Sequence, residues 1–211
     1  MDLIEELRAK KNASAQNIPT EKWNIMMNST QQLIKEHLSK KALKEGDKMI
    51  DFTLPNAVGG IITLSEKLEK GSVIISFYRG GWCPYCNMEL RALQEILPQI
   101  KKSGASLLAI SPETPDHSLN TSEKNNLQFD VLSDVDNSIS KKIGLVFKIP
   151  KNLREVYHSF NIDVPKHNGN SDYELPMPAT FVINKNGMIT YAFVPEDYTE
   201  RADPKKILEL I

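Results

Sequence analysis

Residues 77–86 read Phe77-Tyr78-Arg79-Gly80-Gly81-Trp82-Cys83-Pro84-Tyr85-Cys86, and this stretch decides the fold. It closes a near-continuous apolar run, Val73 to Tyr78, as expected of a strand buried on both faces. Gly80 and Gly81 let the backbone turn sharply off that strand. Pro84 suits the first turn of a helix. The spacing predicts a helix over Cys83 to Lys102 with Met88, Leu90, Leu93, Ile96, Leu97 and Ile100 as its apolar residues. Pro98 is expected to kink that helix or end it early.

Two cysteines therefore sit at a helix mouth, where unpaired N–H groups and the positive end of the dipole favour a thiolate. A separation of three residues puts both sulfurs on one helical face, within bonding reach. Thiols in such C-x-x-C motifs have pKa values lowered from about 8.5 towards roughly 3.5 to 7.5. A redox pair is the favoured reading. Half of a metal site is the second, but zinc needs further ligands, and His37, His117, His158 and His167 show no ligand spacing. Two inert buried cysteines are the third. The chain calls for no metal and no other cofactor.

Working outward, the 211 residues fit one good-sized domain with an extension. A domain of that size buries a core without disulfide staples. The net charge of -1 provides no field to attract nucleic acid or an acidic membrane. The opening residues lack the basic stretch and apolar core of a secretory signal, and no apolar run reaches membrane-spanning length. The expected location is the cytoplasm, where a lasting structural disulfide is uncommon.

Residues 1–45 contain no glycine and read as an N-terminal helical extension, with a helix start at Thr20 and apolar Ile25, Met26, Leu33, Ile34 and Leu38 behind it. These helices pack on the domain or on a second copy in a homodimer, or form a solvated arm. Residues 46–211 alternate strand and helix. A short extended piece ends at Leu54, and a glycine-marked turn precedes Ile61 to Leu64 and a short helix. Strands follow at Ala105 to Ile110 and Val131-Leu132, and helices at Pro115 to Asn125 and Ser138 to Ile143. Residues 144–177 read as a long irregular insertion with one local helix over Leu153 to Phe160. A hairpin, Ala179 to Ile183 and Ile189 to Val194, turns at Asn184 to Gly187, and a terminal helix follows. The pattern predicts an α/β fold with a central mixed β-sheet flanked by helices.

With Trp82-Cys83-Pro84-Tyr85-Cys86 the chain resembles the thioredoxin superfamily. More closely it is similar to the peroxiredoxin-like branch of the alkyl hydroperoxide reductase and thiol-specific antioxidant family. The likeness begins at Gly46-Asp47 and Asp51 to Asn56, is sharpest over Phe77 to Leu90, and returns at Leu175 to Ile183. It implies a thioredoxin-like fold and an antioxidant thiol oxidoreductase. Peroxide or a disulfide would be its substrate, and a thioredoxin-like protein or a small thiol its reductant.

The resemblance places Cys86 at the peroxide-attacking position and Glu89 where many members have an acidic or amide residue. Cys83 stands at the family's threonine position, Arg79 at its proline position, and Pro178 where it carries an arginine. In the thioredoxin comparison Pro178 is instead the cis-proline facing the cysteines. Two mechanisms follow. In the peroxiredoxin-like one, Cys86 attacks the peroxide and Cys83 condenses with the resulting sulfenic acid. In the thioredoxin-like one, Cys83 attacks a disulfide and Cys86 resolves it. A redox sensor or binding module without turnover is the non-enzymatic alternative.

Supporting roles are expected of Arg79 as positive charge beside the thiolate, and of Trp82 and Tyr85 as an apolar rim. Glu89 is read as a proton acceptor or, more simply, as an exposed helix carboxylate. Tyr157, His158 and Tyr173 could line a substrate groove. No chemistry follows from Asp197-Tyr198-Thr199 and Arg201.

Overall fold

The computed structural model describes residues 2–211. The chain starts with α1 (Leu3–Asn17) and α2 (Thr20–Lys35), then a 3-10 turn over Leu38–Lys41. A hairpin of β1 (Thr53–Pro55) and β2 (Ile61–Thr63) leads through α3 (Leu64–Lys70) to β3 (Val73–Phe77). Next come α4 (Pro84–Lys102), β4 (Ser106–Ser111), α5 (Pro115–Lys124), β5 (Asp130–Ser133) and the short α6 (Ser138–Lys142). Residues 144–177 contain β6 (Val146–Lys148), α7 (Lys151–Ser159), α8 (Val164–Asn168) and β7 (Glu174–Pro176). The chain closes with β8 (Ala179–Ile183), β9 (Ile189–Phe193) and α9 (Pro204–Leu208).

The main sheet has the order β5-β4-β3-β8-β9. β3 is parallel to β4 and antiparallel to β8, so Phe77 lies between Ile110 and Ala179. All five β3 residues are buried, because both faces of the sheet are covered. Val73, Ile75 and Phe77 pack with Phe52, Leu64, Phe181 and Ile183 on one face. Ile74 packs under Leu93, Leu97 and Ile100 of α4 on the other. This mixed sheet with helices on both faces is a thioredoxin-like fold. It sets the end of β3, and the loop that follows, over the start of α4.

Three sequence expectations need correction. Pro98 does not end α4, which runs on to Lys102. Pro98 is exposed, on the solvent face, where losing one backbone bond and curving outward costs least. Residues 144–177 are not irregular throughout, since Val146↔Pro176 and Phe147↔Leu175 form a small antiparallel ladder. Finally, no cis peptide bond occurs among the described residues, so Met177–Pro178 is trans. The chain runs in extended form from the β6–β7 ladder, through the Met177 N–H bond to the Leu145 carbonyl (2.9 Å), straight into β8.

The N-terminal helices lie against the sheet-bearing part of the chain. Leu3 and Leu7 of α1 are buried in one cluster with Tyr85, Cys86 and Leu90 of α4. Ile25 and Met26 of α2 pack on Leu153, Val156 and Tyr157 of α7. At 3% exposure, Leu7 loses a filled site on truncation, so Leu7→Ala should destabilise the chain by about 2–4 kcal/mol. Urea unfolding checks this; an unchanged midpoint would show that Leu7 does not hold α1 in place.

Candidate functional site

Cys83 is the N-cap of α4 and Pro84 its first residue. The preceding loop is fixed from below. The Gly81 N–H donates to Glu113 Oε2 at 2.9 Å, and Asn87 Nδ2 donates to the carbonyls of Gly81 (2.8 Å) and Cys83 (3.1 Å). Gly80 has a φ of +139°, and a Cβ there would lie 2.4 Å from Trp82 Nε1. A Cβ on Gly81 would lie 2.0 Å from Thr121 Oγ1. Both glycines are therefore required by position as well as by the turn. Glu113 is itself buried, with Thr121 Oγ1 and His167 Nδ1 at its two oxygens.

Both cysteines are free thiols, 1% and 0% exposed. Burial pushes the Cys83 thiol up, but the hydrogen bond from the Cys86 thiol and the charges of Arg79 and Arg201 outweigh it. The net effect holds Cys83 at about 6. Cys86 moves the other way. Burial raises it well above the ordinary thiol value, reinforced by its bond to Cys83 and by the Cys83 charge. The two thiols titrate as a coupled pair, with Cys83 drawn down and Cys86 pushed up.

Arg79 is buried, as a charge beside the thiolate would have to be. It is 2% exposed and donates to the Tyr157 hydroxyl. Its guanidinium lies 4.7 to 5.6 Å from the ring centres of Trp82, Tyr157 and Tyr198, in cation–π contact. Glu89 is likewise not an exposed helix carboxylate, at 2% exposure. It pairs with Arg201 Nε and accepts from Thr180 Oγ1 at 3.3 Å. Burial pushes Glu89 up to about 7 against the pull of Arg201.

Arg201 is the residue that the sequence reading missed. Its Nη2 donates to Cys86 Sγ at 3.1 Å, and Nη1 is held by the carbonyls of Tyr198 (2.8 Å) and Glu200 (2.6 Å). Lys11 of α1 pairs with Asp197 at 2.7 Å and so braces the same tail. An arginine 115 residues beyond a cysteine has no local sequence signature. It takes the fold to bring them together.

A groove of about 240 Å³ opens onto Cys83 but not Cys86. Arg79, Trp82, Tyr85 and Tyr157 line it together with residues of α1 and α2. His158 and Tyr173 lie outside it; they meet each other at 3.3 Å. Pro178 is buried and lines a separate small cavity behind Arg79, bounded by Met26, Tyr157 and Tyr198. His117 and His167, far apart in sequence, pack with tilted rings whose centres are 4.5 Å apart.

Comparison with known proteins agrees with this architecture. The AhpC/TSA family matches residues 45–192, and the chain belongs to that family. A putative peroxiredoxin bcp of Buchnera aphidicola is 36% identical over 103 residues, covering 49% of this chain and 65% of that protein. The thiol-disulfide oxidoreductase ResA of Geobacillus kaustophilus is 29% identical, covering 75% of this chain and 76% of that one. The crystal structure of peroxidoxin BcpB from Mycobacterium tuberculosis shares the fold, with a TM-score of 0.64 and 21% identity. It covers 79% of this chain and 95% of its own.

Replacing Arg201 by methionine strands Glu89 in the core, and such broken buried pairs cost about 3–5 kcal/mol. Arg201→Met should be strongly destabilising, and Glu89→Leu/Arg201→Met should recover most of the loss. The cost should be smallest at low pH, where Glu89 holds its proton folded or unfolded, and should grow as pH rises. Denaturant titrations at several pH values check it; a pH-independent loss would contradict the pairing.

Proposed function

We propose that the chain is a peroxiredoxin-like peroxidase that reduces a hydroperoxide through the Cys83–Cys86 couple, with Cys83 as the attacking sulfur. The observation that carries this is the asymmetry of the pair. Cys83 has the lowered pKa and faces the groove, whereas Cys86 is raised and lies behind it. The assignment reverses the order that the family resemblance implied.

In the proposed reaction the Cys83 thiolate attacks one peroxide oxygen and the O–O bond breaks. The leaving alkoxide or hydroxide takes up a proton, and Cys83 becomes a sulfenic acid. Arg79 stands beside this sulfur with Nε unbonded, and Trp82 Nε1 is also without a partner among the described residues. Both groups can only donate, which suits an oxygen gaining negative charge. Tyr85 contributes an apolar wall.

Once Cys83 is a neutral sulfenic acid, the charge that held the proton on Cys86 is gone. Arg201, in contact with Cys86, then favours its thiolate. Cys86 attacks Cys83, hydroxide leaves and combines with the Cys86 proton as water, and the disulfide closes. Glu89 and Pro178 act at one remove, Glu89 by positioning Arg201 and Pro178 by backing Arg79.

A disulfide reductase would use the same order of attack, and the likeness to ResA keeps that reading in view. Burial of both sulfurs supports a small substrate instead, because a protein disulfide cannot reach them without displacing Trp82 or the N-terminal helices. A C-x-x-C pair used for chemistry and not as a staple also suits a reducing compartment such as the cytoplasm.

Stopped-flow oxidation by hydrogen peroxide, followed by Trp82 fluorescence, tests the proposal. Cys83→Ser should abolish the fast phase. Cys86→Ser should keep it but stop at the sulfenic acid. In the unsubstituted protein the rate should rise with pH through about 6 and then level, since only the Cys83 thiolate attacks. A fast phase that survives in Cys83→Ser and disappears in Cys86→Ser would reverse the assignment.

A further inference from the structure

One wall of the groove that reaches Cys83 is made by the N-terminal helices, which lie outside the family's matched region, residues 45–192. Lys10, Ser14 and Ile18 of the first helix and its exit, together with Trp23 and Met26 of α2, form one wall. Phe160 and Ile162, just beyond α7, form the opposite rim. The lining holds no carboxylate; its charged residues are Lys10 at the mouth and Arg79 at the floor. Lys22 adds a second cation at the rim, 5.3 Å from the Phe160 ring centre.

The disulfide made in turnover has to be reduced again, and of its two sulfurs only that of Cys83 lines this groove. Because Cys83 and Cys86 are an N-cap and a residue of the same first helical turn, they can join without unwinding α4. Closing that bond asks for no displacement of the α1 and α2 wall. A thiol must reach Cys83 through about 240 Å³ of space between apolar walls with cations at both ends. A small molecule fits that opening, but a folded protein does not.

We propose that the reductant is a low-molecular-weight thiol carrying a carboxylate, bound in this groove, and not a protein dithiol. The inference rests on the Cys83–Cys86 couple proposed above. The thiolate of the first small molecule attacks Cys83 Sγ, and the protein S–S bond breaks. Cys86 leaves as a thiolate beside Arg201 and takes up a proton. A second thiolate attacks the small molecule's sulfur in the mixed disulfide and frees Cys83 as its thiolate. Two thiols are thereby oxidised to one small disulfide, and the protein pair gains the two electrons.

The test starts from full-length protein oxidised with diamide, with the intramolecular disulfide confirmed by mass spectrometry. Its reduction is followed by tryptophan fluorescence using glutathione, neutral 2-mercaptoethanol and a bacterial thioredoxin in turn. Glutathione should act about tenfold faster or more than thioredoxin at equal thiol concentration, because access limits the exchange. In Lys10→Glu/Lys22→Glu the ratio of the glutathione rate to the 2-mercaptoethanol rate should fall roughly fivefold, as expected when two attractive charges become repulsive. Reduction by thioredoxin at the glutathione rate or faster would overturn the proposal, as would an unchanged ratio in the double variant. Failure of diamide to form the disulfide would instead overturn the couple itself.

Discussion

The contact between Arg201 and Cys86 organises the site. One guanidinium meets a sulfur on α4, a carboxylate one turn further along the same helix, and two carbonyls of its own tail. A buried cation of this kind persists only because every side of it is answered by an acceptor. It anchors the C-terminal segment over the mouth of α4, and α1 anchors that segment in turn through Lys11 and Asp197. The N-terminal helices, the tail and the cysteines thus form one connected unit, although their sequence positions are far apart.

The electrostatics follow from this unit. Two cysteines buried in an apolar cluster would ordinarily stay neutral. Here two buried arginines face them from different elements, Arg79 from the end of β3 and Arg201 from the tail. Together with the hydrogen bond between the thiols, they make one thiolate affordable. Cys83, at the helix mouth and on the groove, is the thiol drawn down, and Cys86 behind it is the one pushed up. In the proposed reaction these two environments separate the attacking sulfur from the resolving one.

Much of the fold was legible because its signals are local. The apolar run of β3, the paired glycines, Pro84 at a helix start and the Asn184 to Gly187 turn each state their own structure. The cysteine pair was legible for the same reason. What could not be read depends on tertiary placement. Glu89 looks like any surface glutamate on an amphipathic helix until Arg201 meets it, and Arg201 lies in a polar tail with no periodicity. Arg79 could equally have faced solvent, since only the rings of Trp82, Tyr157 and Tyr198 decide otherwise. The three-residue β6 and β7 are too short to show alternation, and the exposure that lets Pro98 sit inside α4 is set by the fold. The attack order inferred from the family motif rested on alignment of Cys86, whereas the order proposed here rests on which sulfur meets the groove.

The central claim is that Cys83, and not Cys86, is the thiolate of the reduced protein. Site-resolved alkylation tests it most directly. The reduced protein would be pulsed with iodoacetamide across a pH series, quenched, and mapped by peptide mass spectrometry. Selective labelling of Cys83 with a midpoint near pH 6, and Cys86 labelled only slowly, is the predicted result. Preferential labelling of Cys86, or no labelling of Cys83 until the ordinary thiol range near pH 8.5, would contradict the account.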